Sequence, residues 1–494
     1  MSRRVVIIGA GIGGLAAALA LAARGMEVLV LERAATPGGK MREIAIGEAR
    51  IDGGPTVFTM RWVFDELFAQ AGTTLAEHLT LQPVTTLARH AWDGGARLDL
   101  FADIPQSAEA IGRFAGLAEA RGYLDFCARA RRTYAALEGP FIRGARPTPV
   151  SLVARAGLGG VGRLLATSPF STLWNALGEH FKDPRLRQLF GRYATYVGSS
   201  PFLAPATLML IAHVEQYGVW LVEGGMHRVA RTVADLAAAR GAGFRYGAEV
   251  SEILTANGRT TGVRLADGEV IPAAAVIANA DVAALAAGRF GAAAAKSVGA
   301  VPRANRSLSA VTWALTARTR GFPLLRHNVF FSGDYAGEFA DLTSRSSLPA
   351  TPTVYVCAQD RGDDDAAPEG AERLLCLINA PARGDYRPLP EAAIATAERA
   401  AFALLERAGL QLDRAPDRTV LTTPTGFDAL FPATGGALYG QAVHDWQATF
   451  GRPGSRTRLP GLFLAGGSTH PGAGVPMATL SGRLAAAAVL GEAA

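Results

Sequence analysis

The stretch from residue 4 to residue 41, RVVIIGAGIGGLAAALALAARGMEVLVLERAATPGGKM, constrains this chain more than any other. Val5–Ile8 is a short apolar run of the kind that forms a buried strand, and Gly9, Gly11 and Gly14 then make a G-x-G-x-x-G turn. An Ala/Leu-rich helical segment follows, and a second strand over Val28–Leu31 ends on Glu32. Strand, glycine turn, helix, strand and acid in that order make a βαβ dinucleotide-binding unit. The glycines serve a tight turn, close approach of backbone to a pyrophosphate, and close helix–strand packing. The helix start offers free N–H groups and the positive end of its dipole to the phosphates. Glu32 stands at about the ~20-residue spacing where a carboxylate accepts hydrogen bonds from ribose hydroxyls. NAD and FAD both suit that acid.

The same segment has features of a signal peptide: Arg3 and Arg4, an apolar core and Ala-x-Ala. The glycine trio would break the continuous helix such a peptide needs, so a retained, folded segment with no cleavage is expected. At 494 residues the chain has room for two or three domains and a large core. No run of 18 or more apolar residues lacks a Gly or Pro break, so no spanning helix is expected. Net charge is +6 and almost all of the positive charge is Arg, with Lys only at 40, 182 and 296. That balance fits either the codon bias of a GC-rich genome or attraction to an anionic membrane surface. No basic run is interleaved with aromatics, so nucleic acid is not an expected partner.

Cys127, Cys357 and Cys376 show neither metal-ligand nor redox-pair spacing and read as buried thiols in a reducing compartment. The histidines form no metal motif, and no G-x-S-x-G elbow occurs. With so little side-chain chemistry of its own, the chain points to a bound cofactor for the hard step.

Beyond the opening unit, Gly38-Gly39-Lys40 and Asp52-Gly53-Gly54-Pro55-Thr56 are glycine-rich loops where backbone can approach a ligand closely. Residues 103–217 carry apolar positions at three- and four-residue spacing and predict a mostly helical region. Within it, Leu158–Phe181 is apolar and Gly-punctuated, either an interfacial segment or a core helix hairpin. A helix is predicted over Arg228–Ala239, then strands over Phe244–Leu254, Thr261–Leu265 and Val270–Asn279. Ser307–Leu315, Asn328–Ser332, Thr353–Cys357 and Leu374–Asn379 predict a second, mainly β, region. Asp363–Asp365 reads as a solvated loop.

Near the far end, Leu462–Ala465 predicts a short buried strand, Gly466–Gly474 a loop, and Val475 onward a helix with Pro476 in its first turn. Such a strand–loop–helix aims a helix N-terminus at developing negative charge. In a flavoprotein that charge would sit at the N1/O2 edge of the reduced ring.

GAGIGGL, Glu32, PGGKM, DGGPT and the closing FLAGGSTHPGAGVPMATLSG resemble the bacterial carotenoid desaturases of the FAD-dependent amine-oxidase-like superfamily, over nearly the whole chain. FKDPRLRQLFGRYATYVGSSPFLAP (181–205) and GVWLVEGGMHRVA (218–230) are most similar to the 1-hydroxycarotenoid 3,4-desaturases, also called methoxyneurosporene dehydrogenases. Phytoene desaturases more often carry a Pro-Arg-Gly-Gly-Thr-Gly type sequence where this chain has Val222-Glu-Gly-Gly-Met-His227.

The resemblance implies an α/β fold with a Rossmann-type FAD-binding domain split in sequence (1–102, 218–290 and 440–494). Into it are inserted a helical substrate and membrane subdomain (103–217) and a mainly β substrate domain (291–439). Gly9, Ala10, Gly11, Ile12, Gly13 and Gly14 would hold the pyrophosphate and Glu32 the adenosine ribose. Arg33, Gly39, Lys40 and Met41 would follow the ribityl–phosphate path, with Gly54, Pro55 and Thr56 beside the flavin. Val250 would contact the adenine through its backbone, and Gly466, Gly467, Val475, Pro476 and Met477 would close on phosphate and ring.

The implied reaction oxidises a C–C single bond next to a polyene. A hydride passes to the flavin and a proton leaves the adjacent carbon, adding a C3–C4 double bond to an acyclic 1-hydroxy or 1-methoxy carotenoid. Phytoene desaturation, flavin-dependent polyene isomerisation and carotenoid carriage without chemistry are the alternatives. The substrate walls are expected in 103–217 and 300–425, with Phe431–Tyr439 at the flavin end. His470, in the Gly loop, is the candidate for a catalytic role and is read as a structural or phosphate-side residue. The implied location is the cytoplasmic side of the inner photosynthetic membrane, held peripherally.

Overall fold

The computed structural model describes residues 4–157, 160, 162, 164, 167–362 and 366–491. Asp363–Asp365, and residues 158, 159, 161, 163, 165 and 166 of the apolar segment that starts at 158, lie outside the described residues.

A five-stranded parallel sheet organises one half of the molecule, in the order Gly243–Tyr246, Val28–Glu32, Val5–Ile8, Ala275–Ala278, Leu462–Leu464. Its strands come from three distant stretches of chain. Side chains alternate across a strand, and here both faces are covered, which explains the unbroken apolar runs. Val5, Ile7, Val28, Val30 and Ile277 pack under the helices Ile12–Ala22, Met226–Ala239 and Val475–Leu490. Val6, Ile8, Leu31, Val276 and Leu464 turn the other way, onto a three-stranded antiparallel sheet of Val250–Ala256, Arg259–Leu265 and Val270–Pro272.

The predicted strands Phe244–Leu254 and Val270–Asn279 are therefore each divided between two sheets. The first breaks at Gly247–Glu249 and the second at Ala273–Ala274, where the chain steps from one layer to the other.

The second half is built on a seven-stranded sheet in the order Thr419–Thr422, Ser309–Ala317, Glu372–Ala380, Val354–Ala358, His327–Phe330, Thr86–Ala91, Arg97–Phe101. Thr86–Phe101 thus pairs with the central β region, through a parallel contact with His327–Phe330. A boundary at residue 102 cuts across that sheet. One face buries Val311, Trp313, Leu315, Val356, Leu374 and Ile378 beneath the helix Glu391–Arg407. The residues between them on the strands, Thr312, Leu375, Leu377, Asn379 and Tyr355, point to the opposite face and line a cavity.

Leu137, at the end of helix Leu117–Leu137, and helix Leu210–Tyr217 close that cavity from the other side, and helices Leu173–His180 and Pro184–Gly191 belong to the same helical region. Their own core is aromatic, with Tyr123, Phe126, Phe181 and Phe190 in mutual ring contact. The thiols of Cys127, Cys357 and Cys376 are buried and free. No helix among the described residues is long and apolar enough to cross a membrane.

Candidate active site

One cavity of about 1120 Å³ runs from the N-terminal glycine turn to the helical region. At its first end the wall is bare backbone. Gly9 sits at φ +95°, a conformation side chains resist, and a Cβ on Gly14 would collide with the Gly9 carbonyl. A Cβ on Gly11 would stand 2.9 Å from Asn279 Nδ2. The helix Ile12–Ala22 begins at Gly11 with no side-chain cap, so its first N–H groups open onto the cavity. Val475–Leu490 likewise begins, uncapped, at Gly474, and Val475, Pro476 and Met477 line the same space. Two positive helix ends converge on one groove. A pyrophosphate fits such a groove, and a developing anion fits the second helix end.

Glu32 ends the second strand with its carboxylate turned back toward the turn, accepting from the Ala10 N–H at 2.7 Å and the Ala34 N–H at 2.8 Å. Two backbone donors fix its rotamer and leave lone pairs for ribose hydroxyls. Gly9, Gly11, Ile12, Gly13, Glu32, Arg33, Gly39, Lys40, Met41, Gly54, Pro55, Thr56, Val250, Gly466 and Gly467 all line the cavity. Ala10 and Gly14 lie behind its wall: Ala10 binds Glu32, and Gly14 packs on Gly9. Arg33 reaches across to donate to the Ala429 carbonyl at 2.9 Å and to Leu430 O. Lys40 Nζ donates to Leu438 O at 2.6 Å, and burial pulls its pKa down against the opposing charge of Asp281.

His470 is placed elsewhere. Its Nε2 lies 2.9 Å from the Gly144 carbonyl and its ring meets Phe141 edge-on, so it sits behind Phe141 and Pro471, which line the cavity, without lining it itself. Burial drops its pKa to about 4, so it is neutral at pH 7 and its Nε2–H serves as a donor that ties the closing loop to the helical region.

Three residues the sequence did not single out hold this end together. Asn279, directly after the strand Ala275–Ala278, donates through Nδ2 to Gly9 O at 3.1 Å and Gly11 O at 3.3 Å. Asp281 caps the next helix through the Ala283 N–H. Arg452, only 4% exposed, gathers the carbonyls of Gly467, Tyr439 and Gln441 within 2.8 Å, and burial lowers its pKa to about 10. Asn279 had a readable signal, its position at the carboxyl end of a parallel strand, where such sheets bind ligands. Arg452 had none.

The glycine motifs also lock one another. Asp52 accepts from the Met226 and His227 N–H groups at 2.7 and 3.1 Å, and a Cβ on Gly225 would stand 2.5 Å from its carboxylate. Burial raises the Asp52 pKa despite those bonds. DGGPT thus grips the start of the EGGMH helix, and neither Gly224 nor Gly225 reaches the cavity.

Beyond the cradle the walls turn apolar: Ile211 and Val214 from one helix, Val329, Leu375 and Leu377 from the large sheet, and Phe427, Phe431 and Tyr439 between them. At the far end Pro149, Leu152, Val153, Phe170 and Trp446 form a rim. Val150 and Phe170 are exposed there at 80% and 72%, Phe170 packs edge-on against Trp446, and Arg146 and Arg155 flank them. Among the described residues no cluster of His, Cys, Asp and Glu is arranged to hold a metal.

The sequence profile of the flavin containing amine oxidoreductases matches residues 12–490. The chain belongs to that family. Within it, the chain is 57% identical to a hydroxyneurosporene desaturase of Rubrivivax gelatinosus, over 98% of this chain and 93% of that protein. It is 46% identical to a hydroxyneurosporene desaturase of Cereibacter sphaeroides, over 99% of this chain and 98% of the other. Among solved structures, putrescine oxidase bound to putrescine matches all of both chains with a TM-score of 0.59 at 15% identity, which speaks to the fold alone. The flavoprotein fold and the FAD cofactor agree with the bare glycine groove, the two open helix ends and the anchored Glu32. The chain is an FAD-dependent oxidoreductase.

Proposed function

We propose that this flavoprotein desaturates acyclic carotenoids, introducing the C3–C4 double bond of a 1-hydroxy or 1-methoxy substrate such as 1-hydroxyneurosporene. The observation that carries this reading is the single cavity, in which a dinucleotide cradle opens into a long apolar passage. An apolar polyene suits such a lining, and the relatives named for hydroxyneurosporene share nearly the whole chain.

When bound, FAD would supply the acceptor for the hydride leaving the carbon being oxidised, with a proton lost from the adjacent carbon. The chain's own part is to bind, orient and exclude water. Gly9–Gly14 and Gly466–Met477 would hold the cofactor, with Gly54–Thr56 beside its ring. Ile211, Val214, Val329 and Leu375 would press the polyene into one line. Alignment matters because hydride transfer requires the reacting atoms about 3–3.5 Å apart. The open helix end at Gly474 favours negative charge developing beside it. The exposed apolar rim with its arginines supports docking on an anionic lipid surface, through which a water-insoluble substrate would enter.

Mass spectrometry of pigments after expression in a host that makes neurosporene and its 1-hydroxy derivative tests the reading. A hydroxylated product two hydrogens lighter is expected. Products derived from phytoene instead would contradict it. Flotation with anionic vesicles, lost when Val150 and Phe170 become Ser, tests the docking.

A further inference from the structure

A hydrocarbon tunnel has no use for a charged group, and an arginine in an apolar cavity is costly unless something there engages it. Arg192 lines this one. Its Nη2 donates to Tyr196 Oη at 2.7 Å, and Tyr196 Oη donates to Glu215 Oε1 at 2.9 Å. Tyr193 Oη donates to the other oxygen of Glu215 at 2.7 Å. A phenol carries one hydrogen, so Glu215 fixes the direction of the chain and leaves Tyr196 as acceptor for the guanidinium. Arg192 is thereby oriented while most of its donors stay unused. Nε is enclosed without a partner, and Nη1 makes no hydrogen bond among the described residues.

A second polar chain adjoins it. Tyr355 Oη lies 2.8 Å from Thr56 Oγ1 and 2.8 Å from His327 Nδ1, while His327 Nε2 has no partner. Thr56, Arg192, Tyr196, Glu215, His327 and Tyr355 line the same cavity. Thr56 belongs to the Gly54–Thr56 turn, so this polar niche sits toward the glycine cradle and away from the rim.

We propose that Arg192, held by Tyr196 and Glu215, is the specificity-determining donor that binds the oxygen on the substrate's end group. The assignment rests on the desaturase reading above. In a 1-hydroxy acyclic carotenoid the oxygen-bearing carbon lies two bonds from the bond that is oxidised. Its oxygen must therefore sit close to the flavin, where the niche is. An N–H donor asks only for a lone pair, so hydroxyl and methoxy ends both satisfy it. A bare hydrocarbon end leaves Nε and Nη1 of the guanidinium without an acceptor, and a site built to hydrogen-bond a substrate oxygen rejects the analogue that lacks it.

The test compares FAD-loaded wild-type enzyme with Arg192→Met and Tyr196→Phe on 1-hydroxyneurosporene, its 1-methoxy ether and neurosporene in detergent micelles. Flavin absorbance, kcat/KM and carotenoid affinity (from quenching of protein fluorescence) are the readouts. Arg192→Met is expected to keep its flavin and lose roughly ten- to a hundredfold in kcat/KM and affinity for both oxygenated substrates, with neurosporene affinity nearly unchanged. Tyr196→Phe is expected to show a smaller loss of the same selectivity. Equal losses on all polyenes, an unchanged preference, or loss of flavin from both variants would overturn the assignment of Arg192. Wild-type enzyme that leaves both oxygenated carotenoids unchanged would overturn the 3,4-desaturase reading, and the niche with it.

Discussion

Gly13 and Gly466 lie back to back: a Cβ on Gly13 would stand 2.9 Å from both the amide nitrogen and the Cα of Gly466. The opening fingerprint and the closing loop are thus pressed into one wall, with the Asn279 side chain between them. The contact converts a local βαβ motif into half of a cofactor site whose other half comes from the far end of the chain.

Gly13→Ala forces that wall apart. Overpacking of this kind costs about 1–3 kcal/mol, and the strain falls on the cofactor groove. The purified variant is expected to carry less than about a tenth of the wild-type flavin, read as the ratio of flavin to protein absorbance. Full occupancy would show that the two segments move independently.

The neighbouring His470 predicts a pH effect. Its folded pKa of about 4 lies below the 6.5 of an exposed histidine, because burial penalises the charged imidazole. Between those values the unfolded chain binds the additional proton, so stability is lost as pH falls from about 6.5 to 4 and is level above that window. The full shift corresponds to roughly 3 kcal/mol. His470→Gln keeps a donor for Gly144 and is expected to flatten this part of the thermal-stability profile. His470→Ala is expected to lower flavin retention more than turnover of the loaded fraction. A loaded His470→Ala enzyme with turnover abolished would restore a chemical role.

Ile211 offers a way to separate substrate from cofactor. It is half-buried and lines the apolar passage beyond the cradle. Ile211→Trp adds bulk where the polyene would lie. Retained flavin with at least about a tenfold fall in kcat/KM is expected, since displacing an aligned substrate by an ångström can cost a hundredfold. Unchanged kinetics would move the passage elsewhere.

The large sheet has its own weak point in Arg361 and Glu372, 3% and 1% exposed and joined by two hydrogen bonds of 2.8 Å. Glu372→Gln removes the carboxylate that Arg361 bonds through both Nε and Nη2, and breaking a buried ion pair in this way costs up to about 3–5 kcal/mol. A clear drop in thermal midpoint is expected with flavin content unchanged at low temperature, because neither residue lines the cavity.

What the sequence disclosed follows from the range over which its signals act. The glycine turn, Glu32 and the Pro476 helix start are local patterns with one physical meaning each, and all face the cavity as spacing suggests. The step between sheets at Ala273–Ala274 follows Pro272, a break signal that the apolar run on either side outweighed, so two short strands read as one. The pairing of Thr86–Ala91 with His327–Phe330 links segments far apart in the chain, and alternation identifies a strand without naming its neighbour. Arg192, Tyr196 and Glu215 look like the polar side of ordinary helices. Only the fold reveals that this side faces inward, onto the cavity.

The central claim is that the loaded enzyme removes two hydrogens from an oxygenated acyclic polyene. Anaerobic mixing of the FAD-loaded protein with one equivalent of 1-hydroxyneurosporene measures this directly, with flavin absorbance followed in time and the pigment then weighed by mass spectrometry. Flavin bleaching matched by an equal amount of product two hydrogens lighter is the predicted result. An isomer of unchanged mass, or bound pigment with the flavin still oxidised, would contradict it.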